Sequence, residues 1–306
     1  MDITTEVREF LNTRRARLSP AEAGLPAYGA NRRVPGLKRE EVALLAGVST
    51  EYYARLERGN LRGVSESVLE ALTRALQLDE AERLHLFDLA RAAAASPRTP
   101  TARRPRPRVR PSVERVLAGM NGTPAYVRNA HMDIVAANPL GFALYTGILT
   151  PQGLPVNLAR FLFLDPKAPE FFVDWDTVAD GLAAALRTEA GRTPHDRALS
   201  GLIGELATGS TEFATRWARH NVLLHRTARK RLHHPVVGDI ELTGDAFELS
   251  GEGLTLIAYT AEADSRAQEQ LDFLASWATA HPTPAPAPSP GVPAPGPVVE
   301  HSASED

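Results

Sequence analysis

The sequence predicts an all-helical N-terminal domain of five helices, followed by an α+β domain built on one antiparallel sheet. Three observations carry the prediction. Residues 1–96 show apolar periodicity of the helical kind with no strand signal, and residues 111–281 place short alternating segments on either side of a helical block. The third is proline. Between 97 and 110 it alternates with arginine and cannot sustain a helix, so this stretch reads as an extended linker. From 282 to 306 the chain is rich in Pro, Ala and Ser with almost no large apolar residue, and reads as a disordered tail.

In the first domain, Thr5–Leu18 carries Val7, Phe10, Leu11 and Leu18 at helical spacing. Lys38–Ala46 and Ser49–Arg58 follow as a pair separated by Gly47. Ser65 is placed to cap a helix running to Leu78, with Val68, Leu69, Leu72, Ala75 and Leu76 on its buried face. Asp79 and Glu82 form the capping-box pattern that opens a fifth helix through Leu86 and Leu89.

In the second domain, Ala125–Arg128 and Met132–Ala136 read as a short hairpin pair, and Asn138-Pro139 suits the cap and first turn of a helix. Three helices are expected between Asp174 and His220, the first with Trp175, Val178, Leu182 and Leu186 on one face. Strands are expected over Val222–Leu232, Val236–Leu242, Ala246–Leu249 and Leu254–Thr260, before a closing helix at Ala267–Ala280.

Composition narrows the function classes. The chain has no cysteine, which excludes disulfides, thiolate metal sites and cysteine nucleophiles. No apolar run is long enough to span a membrane, and the charged first eighteen residues lack the core of a secretory signal, so the expected address is the cytoplasm, away from membranes. Residues 1–110 hold 20 Lys and Arg against 14 Asp and Glu, whereas the remainder holds 14 against 23. A basic first part on an acidic second part points to a polyanion partner for the first alone, although surface charge also serves solubility.

The segment KREEVALLAGVSTEYYARLERG has the physical pattern of a helix-turn-helix. Ala43 is small where the two helices cross, Gly47 suits the left-handed turn, Val48 plugs it, and Ser49 can cap the second helix. Tyr53 and Leu56 then face the core, leaving Thr50, Glu51 and Arg55 outward near the N-terminal end, where a helix entering the major groove meets base edges. Arg55 suits a bidentate contact to guanine and Glu51 an acceptor contact to cytosine. Lys38, Arg39, Ser49, Tyr52, Arg58, Asn60 and Arg62 flank this face and suit phosphates. Other helical proteins use glycine turns too, with residues such as Arg55 and Glu51 merely solvated. Arg32 and Arg33, in the extended segment 19–36, serve either phosphate or minor-groove contacts or are ordinary loop charges.

The wording of several segments goes further. RRARLSPAEAGLP, RRVPGLKREEVALLAGVSTEYYARLERG and GVSESVLEALTRALQLDEAERLHLFDLA, with NLARFLFLDP, DWDTVADGLAAALRTEAGR and HHPVVGDIEL beyond them, resemble the MmyB-like group of XRE-type (lambda repressor-like) transcriptional regulators. The extra segment 19–36 departs from the general XRE pattern. The resemblance implies a PAS-like C-terminal domain that binds a small apolar ligand, with a fatty acid as the leading suggestion. Double-stranded DNA is the expected partner, bound by a homodimer because one recognition helix covers only a short half-site, and no cofactor is expected.

Phe142, Tyr145, Phe161, Phe163, Phe171, Phe172, Trp175 and Trp217 are the candidate lining of such a pocket, although aromatic residues at these spacings are more often ordinary core. Arg187, His220 and Arg231 are alternatives for holding a ligand carboxylate. The basic stretch HRTARKRLHHPVVGD reads as a strand pair with a charged outer face; its arginines suit contacts with DNA, a second subunit or the N-terminal domain. His233, His234 and Asp239 make poor joint metal ligands, because adjacent strand residues point to opposite faces. No nucleophile elbow or phosphate-cradling glycine loop is present, so catalysis is not expected. A C-terminal domain that only dimerises or binds a protein, without ligand, is the competing reading.

Overall fold

A computed structural model describes residues 2–26, 34–95, 109–223, 227–251 and 253–281. Arg32, Arg33, most of the linker 97–110 and the tail 282–306 therefore lie outside the described residues. Five helices form the N-terminal part: α1 (Ile3–Arg17), α2 (Arg39–Ala46), α3 (Thr50–Glu57), α4 (Glu66–Ala75) and α5 (Glu80–Ala94). Their core is the apolar periodicity turned inward, with Val7, Phe10, Leu11, Val42, Leu72 and Leu89 all fully buried. The Asp79–Glu82 capping box forms as expected. α4, in contrast, stops at Ala75 rather than running to Leu78, because Gln77 takes a left-handed conformation (φ 48°) and Leu78 N–H turns back to the Thr73 carbonyl at 3.0 Å. Ser65 makes no cap bond; its hydroxyl pairs with that of Ser67 at 2.9 Å.

The second part adds α6 (Pro111–Gly119), β1 (Ala125–Asn129), β2 (Asp133–Ala137), α7 (Pro139–Leu144), β3 (Val156–Asn157), α8 (Leu158–Leu164), α9 (Ala168–Phe171), α10 (Trp175–Arg192), α11 (Arg197–Gly209), α12 (Thr211–Trp217), β4 (Thr227–His234), β5 (Gly238–Leu249), β6 (Leu254–Thr260) and α13 (Arg266–Ala280). The strands make one six-stranded antiparallel sheet in the order β3-β2-β1-β6-β5-β4. Asn138 caps α7 as expected, its Oδ1 accepting from Gly141 N–H at 2.7 Å. One sheet face, with Tyr126, Ile134, Leu232, Ile240 and Tyr259, packs under the helices from α7 onward; the other, with Val127 and Leu254, packs against Leu117 of α6. No helix among the described residues is long and apolar enough to cross a membrane.

Two strand expectations are corrected. Val222 and Leu223 lie outside any strand, Val222 packing into the core of the N-terminal helices; residues 224–226 fall outside the described residues, and β4 is described from Thr227. Val236 and Val237 lie in the turn between β4 and β5, and the two strands expected over 236–249 are one, running unbroken through Gly244. Glycine does not interrupt it because the ring of Tyr259 lies across that position, 2.7 Å from where a Cβ would stand.

Candidate nucleic-acid interface and its link to the second domain

Local chemistry builds the helix pair. Gly47 ends α2 in the left-handed region (φ 67°), and Val48 N–H closes the turn on the Ala43 carbonyl at 3.0 Å. Ala43 is buried at the crossing, and the Ser49 hydroxyl accepts from Tyr52 N–H at 3.1 Å to cap α3. Tyr53, Leu56 and Glu57 turn inward, while Thr50, Glu51 and Arg55 are exposed along the opposite face. The Arg55 guanidinium rests 4.8 Å from the centre of the Tyr52 ring, which steadies its direction without using its hydrogen-bond donors. Arg58, Asn60 and Arg62 are exposed just beyond α3, and Lys38 is half-exposed beside Glu40 at 3.5 Å.

A buried carboxylate that sequence reasoning missed holds this unit together. Glu57, at the end of α3, accepts from Arg15 of α1 at 2.5 Å and from Arg39 at the start of α2. Arg39, expected as a phosphate contact, is thus tied to Glu57 through Nε while its side chain stays half-exposed. That bond raises the Arg39 pKa above its ordinary value.

The larger surprise is the junction with the second domain. Arg187 of α10, 1% exposed, donates to Glu6 of α1 and to the carbonyl of Trp217, with its guanidinium 3.8 Å above the Trp217 ring centre. His85 of α5 and His220 approach the same Glu6 oxygen at 3.9 and 3.5 Å, and His220 also pairs with Glu9 at 2.9 Å. Arg14 of α1, bridged to Glu82 at 2.9 Å, donates to the His220 carbonyl. Burial alone would raise the Glu6 carboxyl, but His220, His85 and Arg187 outweigh it and hold the group well below the usual carboxylate range. α10 comes so close to α5 that a Cβ on Gly191 would stand 2.5 Å from the His85 ring. A cleft of about 360 Å³, lined by Asp88, Arg91, Ala92, Ala95 and the 192–196 segment, opens along the junction.

The aromatic residues expected to line a pocket fall into two groups. Tyr145, Phe171 and Phe172 meet Phe161, Tyr126 and Tyr259 through ring contacts of 5.0–6.2 Å. Phe163, Trp175 and Trp217 join Phe213 in a second set that reaches the junction through the Trp217–Arg187 contact. Phe142 is partly buried against the same core. The three residues considered for a ligand carboxylate are all engaged elsewhere: Arg187 and His220 with Glu6, and Arg231 with Asp174. His233 and His234 do point apart, one exposed and paired with Asp239, the other buried and bonded to the Ala143 carbonyl at 2.9 Å.

Two family models match the chain. Residues 6–86 match the model of a helix-turn-helix domain, and residues 109–274 match that of the MmyB-like transcription regulator ligand-binding domain. No curated protein matches the chain.

Proposed function

We propose that this chain, which belongs to the MmyB-like transcription regulators and so joins a DNA-binding domain to a ligand-binding one, reads bases with the N-terminal end of α3 and changes its grip on DNA when a small apolar ligand such as a fatty acid enters the second domain. One observation carries the reading: Thr50, Glu51 and Arg55 stand exposed on a capped helix whose other face is fixed in the core. Lys38, Ser49, Tyr52, Arg58, Asn60 and Arg62 surround them and supply phosphate contacts, with Arg39 adding its half-exposed side chain. Ligand control needs a connection between the domains, and the Glu6–Arg187 cluster supports one. Action in the cytoplasm follows from this role.

A single reading helix covers only a short half-site, so the protein acts as a homodimer. Selection of bound fragments from a random duplex library by the intact protein tests this. The expected product is a paired half-site repeated at about 10–10.5 base pairs or a multiple. Enrichment of a single unpaired half-site would contradict the dimer.

A second reading, in which the C-terminal domain pairs subunits without a ligand, is favoured by one feature: Phe273 of α13 is 57% exposed beside a shallow groove of about 280 Å³. Native mass spectrometry of the purified protein separates the two, since a co-purifying lipid supports sensing and an empty dimer supports pairing.

A further inference from the structure

Lys230 is explained neither by the fold nor by DNA reading. It sits on β4 between Arg229 and Arg231, whose side chains are 72% and 49% exposed, yet it is itself 8% exposed. Alternation along the strand sends Lys230, Leu232 and His234 to the core and its neighbours to water. The ammonium donates to Tyr259 Oη at 3.1 Å and lies 5.6 Å from the centre of that ring. Tyr259 Oη shares a hydrogen bond of 2.7 Å with Tyr145 Oη. Among the described residues no carboxylate is paired with Lys230, whereas Arg128, another buried cation on the same side of the sheet, has Glu189 within electrostatic reach.

A buried ammonium is costly unless an anion or a full set of acceptors meets it. Lys230 brings three donors and no acceptor, and each phenol brings one donor of its own. Burial raises the Tyr145 and Tyr259 hydroxyls above their ordinary pKa, so both stay protonated; one O–H is spent on the bond between them and the other is left to donate. The group is therefore rich in donors and lacks an anionic acceptor, and it borders the rings of Phe161, Phe171 and Phe172 through the Tyr145–Phe171 contact of 5.5 Å. We infer that Lys230, with Tyr145 and Tyr259, receives the carboxylate of an apolar ligand whose hydrocarbon part lies among Phe161, Phe171 and Phe172. The inference rests on the ligand-sensing reading above and assigns its polar end.

The test titrates the intact wild-type protein, Lys230→Met and Tyr145→Phe with sodium hexadecanoate, 1-hexadecanol and sodium phenylacetate. Wild type should bind hexadecanoate roughly tenfold or more tighter than hexadecanol, the margin expected of charge-assisted bonds in a dry site. Lys230→Met should bind both C16 probes alike and weakly, while melting no lower than wild type, because it removes an uncompensated charge. Tyr145→Phe, which keeps the ring, should narrow the preference and serves if the methionine variant misfolds. Equal binding of acid and alcohol by wild type, or a preference that survives Lys230→Met, overturns the head-group assignment and leaves the lipid reading standing. Phenylacetate binding that Lys230→Met abolishes, with neither C16 probe bound, supports the anion site and removes the fatty acid. Failure of wild type to bind any of the carboxylates overturns the inference.

Discussion

Glu57 ties α3 to the two helices that precede it. Its carboxylate is buried and receives one arginine from α1 and one from α2, so three helices meet at one side chain. Glu57→Ala leaves the largely buried Arg15 without its acceptor while the half-exposed Arg39 stays solvated, and should cost about 1–3 kcal/mol of stability, read by denaturant unfolding. A loss within about 0.5 kcal/mol, the ordinary value for a surface change, would contradict this role. The turn residues around it were legible in the sequence because their rules are local: Gly47 for the left-handed cap, Ser49 for the next helix, Tyr53 and Leu56 for the buried face. Glu57 was not, since its partner Arg15 is 42 residues away. Lys230 was hidden by its company. A run of arginines and lysines suggests a solvated face, but Leu232 sets the phase of β4, and counting back by two would have turned Lys230 inward.

Among elements, the contact of α10 with α1 and α5 is the feature with the widest consequence. Neither its ions nor its close approach at Gly191 leaves a mark in the periodicity, because Glu6 and Arg187 are 181 residues apart in the chain. Strand limits failed for a related reason: the length of β5 depends on Tyr259 covering Gly244, a packing event between strands. The junction also carries a pH signature. His85 is fully enclosed, neither ring nitrogen has a hydrogen-bond partner among the described residues, and burial pushes its pKa below the ordinary value. Its surroundings are Glu6 from α1, Arg187 from α10, Asp88 on α5 and the nearby His220. A depressed folded pKa means that the stabilisation is complete above the unfolded value of about 6.5 and is lost as the pH falls below it, since only the unfolded chain then takes up the proton. Glu6 keeps its full contribution over that window, because the window lies above the unfolded carboxylate value of about 4.3 and its folded pKa is lower still. The melting temperature should therefore drop between pH 7.5 and 5.5, and His85→Gln should flatten that slope. An unchanged slope in the variant would show that other groups carry the effect.

At the scale of the whole molecule, a basic N-terminal part is joined to an acidic C-terminal part through a buried cluster, and the family match covers both. Charge of this kind attracts any duplex, sequence aside, so binding alone says little about α3. The discriminating quantity is the ratio of specific to random affinity at one salt concentration. The most direct measurement is a titration of the intact protein and its Arg55→Ala variant onto the selected fragment and onto random duplex. The variant should lose about 1–3 kcal/mol on the selected fragment and almost nothing on random DNA. Equal losses on both, or no loss on either, would contradict base reading by α3.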